Sequence, residues 1–183
     1  DADGLGRPFL ARQRVIATAG GQRHSFDAVL QYDGRELLLL GLTPMGTKAF
    51  AVRQRDSVAT AESFVDRPLP APPEAILLDV HWSYFLATDA ARPDGWHRRR
   101  VDGLRLRERW ANGRLQQRIV APRRGIEVDI RYVGGRDAAG FPKDVVIEHR
   151  ARDRSGVDLR LEITTLTHES IAAPPLPPAR VGV

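Results

Sequence analysis

Between Leu10 and Glu62 the chain leaves no room for a long crossover between its apolar runs. Leu10 to Ala17 sets Arg12 and Arg14 against Ala11, Gln13, Val15 and Ala17, the two-residue period of a half-buried strand. The next run places Phe26, Ala28, Leu30 and Tyr32 on one face and ends at Asp33-Gly34, a dipeptide that favours positive φ and predicts a hairpin. Leu37 to Leu42 reads as a strand buried on both faces, or nearly so. Thr43-Pro44-Met45-Gly46 predicts the following turn, with proline fixing φ and glycine releasing it. A fourth strand exposes Lys48 and Arg53 and offers Phe50 and Val52 to a core; Asp56-Ser57 turns again before Val58 to Glu62. Parallel neighbours need crossovers of a dozen or more residues, so these strands are predicted to form an antiparallel meander.

The texture then changes. Arg67-Pro68-Leu69-Pro70-Ala71-Pro72-Pro73 is too rich in proline for strand or helix and predicts a stiff connector over 66–73. Pro72 and Pro73 suit the opening of a helix, with Glu74 in the first turn where a carboxylate favours the dipole. The predicted helix runs to about Ala87. Ile76, Leu77, Leu78, Val80, Trp82, Tyr84, Phe85 and Leu86 leave a thin polar stripe of Asp79, His81 and Ser83, placed at a rim. A helix apolar around most of its circumference belongs inside something. The concave face of the sheet is the available surface.

Strands return in the second half. Asp94-Gly95, Asp102-Gly103 and Asn112-Gly113 are read as turns between runs around Val101, Leu104 to Trp110 and Leu115 to Ala121. Ile126, Val128, Ile130 and Tyr132 alternate cleanly with Glu127, Asp129 and Arg131; Val145 to His149 and Leu159 to Thr165 follow. The predicted class is mostly β (α+β), an antiparallel sheet covered by a central helix. The 183 residues suit one domain, with extended or frayed ends at 1–8 and 172–183.

Composition limits the functions. No apolar run approaches the roughly 20 residues of a membrane-spanning helix. Cysteine is absent, so these residues hold no disulfide, zinc thiolate or thiol nucleophile. The net charge of +5 is carried almost wholly by arginine, since Lys48 and Lys143 are the only lysines. Such a balance suits nucleic acid, anionic lipid or an acidic partner, or merely a solvated surface.

Catalytic constellations fail on geometry. Asp79, His81 and Ser83 look inviting in print, but helical positions two apart point about 200° away from each other. The five histidines, His24, His81, His97, His149 and His168, show no metal-site spacing. Glu127 and Asp129 share a strand face, and Glu148 and Glu162 lie on others; the polar outer face of a sheet looks the same. Arg98-Arg99-Arg100 and Arg123-Arg124 are the densest cationic spots, with Trp96 and Trp110 near enough in sequence to suggest base stacking. No nucleic-acid module is spelled out, so no nucleic acid, metal, cofactor or catalytic residue is assigned and the chain is read as non-enzymatic.

Two segments carry a resemblance. Gln13-Arg14-Val15 through Phe26-Asp27-Ala28-Val29-Leu30, then Leu39-Leu40-Gly41-Leu42-Thr43-Pro44-Met45-Gly46, resembles the opening strands of the LolA/LolB lipoprotein-localisation superfamily. The likeness is closest to LolB-like bacterial envelope lipoproteins found with aryl-polyene or fatty-acid-type biosynthesis genes. Ile76-Leu77-Leu78-Asp79-Val80 and Phe141-Pro142 ahead of two final strands agree with it.

That resemblance implies a half-open, strongly curved antiparallel sheet, an incomplete barrel of about 10–11 strands, with a helical lid over an apolar cavity for acyl chains. The cavity residues expected are Phe26, Leu30, Leu40, Phe50, Val52, Leu77, Trp82, Phe85, Val128 and Ile130, some of them plain core. In LolB the turn between the third and fourth strands carries an exposed apolar residue that helps deliver lipid to the membrane. The matching turn here is Pro44, Met45 and Gly46, with Met45 at its tip; the alternative is an ordinary turn with Met45 folded back on the sheet. The implied protein is a monomeric lipoprotein on the periplasmic face of the outer membrane, whose lipid-bearing cysteine is not among these residues. Its implied partners are the membrane surface and the acyl chains of a lipid, lipoprotein or lipid-like pigment precursor. A periplasmic sensor or adaptor on the same scaffold, binding a protein, is the other reading.

Overall fold

The computed structural model describes residues 7–66, 72–86, 91–121, 125–151 and 157–172. Its strands are β1 (Phe9–Ala19), β2 (Gln22–Tyr32), β3 (Glu36–Leu42), β4 (Lys48–Arg55), β5 (Val58–Ser63), β6 (Gly95–Val101), β7 (Leu104–Ala111), β8 (Arg114–Ala121), β9 (Ile126–Tyr132), β10 (Asp144–Ala151) and β11 (Val157–Ser170). They form one antiparallel sheet in the order β5-β4-β3-β2-β1-β11-β10-β9-β8-β7-β6. The chain therefore meanders outward from the centre to one edge, crosses, and meanders back from the other edge until β11 pairs with β1. The edges β5 and β6 do not pair with each other, so the sheet stays open. Register shifts at Arg12/Gln13, Gly41/Leu42, Arg109/Trp110 and His149/Arg150 add the local bends that curve such a sheet.

The crossing segment carries the helix α1 (Pro73–Val80), which continues as a π-helical turn over His81–Phe85. It has proline at its start and Glu74 in its first turn, as the sequence predicts. Because it leads from one sheet edge to the other, it must pass over the concave face. Two apolar clusters meet beneath it. Leu77 and Val80 join Ala11, Leu30, Leu37 and Val52 on the β1–β4 side, and Trp82 joins Leu106, Val120, Val128 and Ile130 on the β7–β10 side.

Several local expectations change. The helix ends in the π-turn, with the Leu86 amide donating to the His81 carbonyl at 2.7 Å, and Ala87 lies outside the described residues. Asp94-Gly95 is no hairpin turn: Gly95, at φ +123°, opens the edge strand β6. At Asp33-Gly34 the expected positive φ falls on Gly34, at +101°, and the Asp33 side chain adds a cap, its Oδ1 accepting from the amides of Arg35 and Glu36 at 2.8 Å. Asp102-Gly103 and Asn112-Gly113 do use positive φ at both residues, as a tight hairpin requires. Leu37 to Leu42 is buried on one face and half-buried on the other. Most of the predicted 66–73 connector, Arg123-Arg124 and nearly all of both predicted ends fall outside the described residues.

Gly41 shows how tightly the concave face is packed. The Phe50 ring lies across it, edge-on to Phe26 with centroids 5.8 Å apart, and a Cβ at Gly41 would stand 2.2 Å from that ring. Gly41→Ala is expected to lower stability by about 1–3 kcal/mol through overpacking, read as a shift in urea midpoint without a change in slope.

Candidate ligand cavity

Between the helix and the inner faces of β1 to β4, β10 and β11 lies a cavity of about 90 Å³. Val15, Ala17, Phe26, Leu39, Phe50, Ile76, Leu161 and Ile163 make most of its wall; Gln13, Asp79 and Tyr84 are its polar members. Alternation places each strand residue there, since the partners across the sheet keep the same parity: Val15 lies opposite Phe26 and opposite Ile163. An apolar cavity of about 150 Å³ holds one benzene, so this one is too small for an acyl chain with the helix where it lies.

Tyr84 separates the cavity from a wider open pocket of about 420 Å³ lined by Phe9, Phe85, Phe141 and His168. Its ring stacks on Phe141 at 5.0 Å, and Phe141 stacks on His168 at 4.3 Å. Gln13 Nε2 donates to the Tyr84 hydroxyl at 3.0 Å. Burial pushes the Tyr84 phenol well above its usual range, so it stays neutral. His168 Nδ1 meets Asp137 Oδ2 at 2.7 Å. Burial alone would raise Asp137, but the Phe141 amide and His168 outweigh it and hold the carboxyl below its ordinary value.

The helix is tied down by polar contacts. Arg118, only 1% exposed, donates to the carbonyls of Trp82 at 2.6 Å and Leu86 at 3.0 Å. Its charge is met by Glu108 Oε1 at 2.9 Å, and Arg99 binds the same carboxylate from the edge strand at 3.0 Å. The Tyr132 hydroxyl donates to the Ser83 carbonyl at 2.9 Å. The π-turn frees the Trp82 carbonyl, which the Leu86 amide would take in an α-helix; the Ser83 and Leu86 carbonyls are open because the helix ends there. His81 meets Gln54, and His149 Nε2 meets Asp79 Oδ2 at 2.9 Å.

The polar stripe is thus turned around. Asp79 and Ser83 are buried on the inner face while Leu78 is 45% exposed; His149 gives the Asp79 carboxylate a partner there, and Tyr132 takes the Ser83 carbonyl. Asp79 Oδ1 and Ser83 Oγ have no hydrogen-bond partner among the described residues. Burial raises the Asp79 carboxyl above its ordinary 3.8, against the pull of His149. Burial likewise lowers the His81 imidazole.

Of the residues expected at the cavity, Phe26 and Phe50 line it. Leu30, Val52 and Leu77 pack in the core beside it, and Trp82, Val128 and Ile130 pack in the second cluster. Phe85 sits against Phe9 and Tyr32 near the outer pocket. Leu40 lies on the opposite face of β3; its neighbour Leu39 takes the wall, a one-residue difference in phase. Pro44, Met45 and Gly46 form an exposed turn closed by the Thr43 amide on the Thr47 carbonyl, and Met45 is 91% exposed rather than folded back. Arg118 and Glu108 were missed, although Glu108 keeps phase with Leu106 and Trp110, and Arg118 with Val120. Glu148, on the outer face, is ringed by Arg131, Arg150 and Arg160. Burial would raise it, but those arginines hold it below the ordinary carboxylate range. Among the described residues no cluster of three or more metal-ligating side chains forms, and no helix is long and apolar enough to cross a membrane.

The open sheet with a helix across its hollow is the LolA-like fold. A LolA superfamily protein from Nitrosomonas europaea superposes with a TM-score of 0.57 at 11% identity, covering 94% of this chain and 91% of that one. A domain described as an outer membrane lipoprotein-sorting protein, from Vibrio parahaemolyticus, superposes with a TM-score of 0.51 at 9% identity, covering 92% and 87%. At the level of sequence, a family described as "protein of unknown function (DUF3261)" matches residues 10–167, and the chain belongs to that family. No curated protein matches it.

Two outcomes follow from the ties beneath the helix. Arg118→Leu should cost about 3–5 kcal/mol in chemical denaturation, since Glu108 is left buried with less compensation; adding Glu108→Leu should recover most of it. Asp79→Asn tests the raised carboxyl. The folded chain holds that proton more tightly than the unfolded one, so its contribution is complete below pH 3.8 and is lost as pH rises through the elevated folded value. The stability of Asp79→Asn relative to the parent should therefore rise from pH 4 to 7; a pH-independent difference would overturn the assignment.

Proposed function

We propose that this protein is a non-enzymatic carrier that holds the acyl chain of a lipid, lipoprotein or lipid-like pigment precursor and helps pass it to the outer membrane. The observation that carries the reading is the apolar cavity beneath the helix, closed at one side by Tyr84 from a larger aromatic pocket. Binding would draw on burial of the chain, at about 0.8 kcal/mol per methylene. The 90 Å³ space must grow to take one, so loading moves Tyr84 aside and lifts the helix from its seam. The LolA-like fold supports a place in the bacterial envelope, facing the periplasm at the outer membrane.

Delivery is assigned to the β3–β4 turn. Met45 projects into solvent, and Phe64 is exposed beside Lys48, whose ammonium lies 5.7 Å over its ring. A flexible apolar tip next to a cation suits brief insertion among acyl chains below anionic head groups. A sensor that binds a protein on this scaffold is the reading to which a negative result would lead.

Native mass spectrometry of the protein purified from its own envelope should show a co-purified lipid or acylated ligand, and a fluorescent fatty acid should bind. Absence of both overturns the carrier reading. Tyr84→Ala should speed entry of the fatty-acid probe, and Met45→Glu should slow transfer to acceptor vesicles while leaving probe binding intact.

A further inference from the structure

The outer face of the sheet carries its charge in two different ways. Elsewhere on this face several arginines are matched: Arg14 binds Asp27 at 3.0 Å, and Arg131, Arg150 and Arg160 converge on Glu148. On β6 and β7 they are set against one another. Cross-strand register puts Arg98 opposite Arg107 and Arg100 opposite Arg105. All four side chains point outward, because Leu106, Glu108 and Trp110 take the inner positions of β7. Like charges directly opposite in a sheet destabilise it. Among the described residues none of the four makes an ion pair; Arg107 instead lies 5.0 Å over the ring of Trp96, which is 46% exposed. The four arginines border a shallow groove of about 540 Å³, with Ile119 in its floor and Glu127 as its carboxylate.

From this arrangement we propose that the outer face of β6 and β7 is a docking surface for the phosphate-bearing face of an anionic phospholipid bilayer. Arginine forks match phosphate oxygens, and the open groove presents four of them together. Trp96 completes the match, since an exposed indole beside cations is suited to the head-group layer of a membrane. A row of stacking aromatics, which a single-stranded nucleic acid would need, is not present among the described residues of this face: Trp110 points into the core. The patch explains why cation–cation registers persist on an edge strand: the compensating anions come from outside the chain. It does not depend on whether the inner cavity holds an acyl chain.

The test is sedimentation with phosphatidylcholine vesicles, with and without phosphatidylglycerol, at low and physiological salt. The parent should bind only the anionic vesicles and release as salt rises. Arg98→Ala/Arg107→Ala should weaken binding roughly 25-fold, about five-fold per arginine. Its denaturation midpoint should stay equal or rise, because a repulsion is removed. Fatty-acid probe binding should be unchanged, which keeps this outcome separate from the carrier reading. Unchanged vesicle binding by the double variant overturns the proposal. So does tighter binding of a single-stranded oligonucleotide than of anionic vesicles at physiological salt.

Discussion

The buried guanidinium of Arg118 fixes how the helix can lie. A cation with 1% exposure is costly unless its charge and its donors are all met, and here Glu108 supplies the charge while two carbonyls of the crossing segment supply the rest. The Trp82 carbonyl is free because the helix loosens into a π-turn over His81–Phe85, and the Leu86 carbonyl is free because it lies past the helix end. The guanidinium answers both, and the pair sets the end of the helix at one place over β8.

The rest of the interior follows from that placement. The two meanders share only the β1–β11 pairing in the sheet, so the helix is their second connection, with Leu77 and Val80 serving one cluster and Trp82 the other. The polar ties cluster toward its C-terminal end, at Trp82, Ser83, Tyr84 and Leu86. Its N-terminal end over the cavity is held mainly by apolar contact and the Asp79–His149 pair. Apolar contact is non-directional and can be re-made against a ligand, whereas the Arg118 bonds cannot. A helix built this way pivots more readily than it detaches.

How much of this was legible depended on whether a signal was local. Strand alternation and the turns at Asp102-Gly103 and Asn112-Gly113 are local, and they predict the antiparallel sheet correctly; that it stays open follows from the LolA/LolB resemblance. The proline-led helix was equally plain. Phase inside a uniform run was not: Leu37-Leu38-Leu39-Leu40 gives no cue to which leucine faces inward, and Leu40 was chosen where Leu39 lines the cavity. The orientation of Asp79 is hidden for a different reason. A polar residue is expected outside unless a partner waits within, and its partner His149 comes from a strand 70 residues away. Glu108 and Arg118 stand out as charged residues in the apolar phase of their strands, but each makes sense only once the other is set opposite it across β7 and β8.

The same pairing logic separates the two faces of the β6–β8 edge. On the inner face Arg118 and Glu108 lie opposite each other, and Arg99 reaches the same carboxylate, so every buried charge is answered within the chain. On the outer face the alternating partners, Arg98 with Arg107 and Arg100 with Arg105, repeat one sign. Solubility alone would be served by mixed charges, which cost less across a strand pair. An edge that balances its hidden charges and sets its exposed arginines against one another is arranged for an anionic surface outside itself. The exposed indole beside them gives that surface the layered character of a membrane interface.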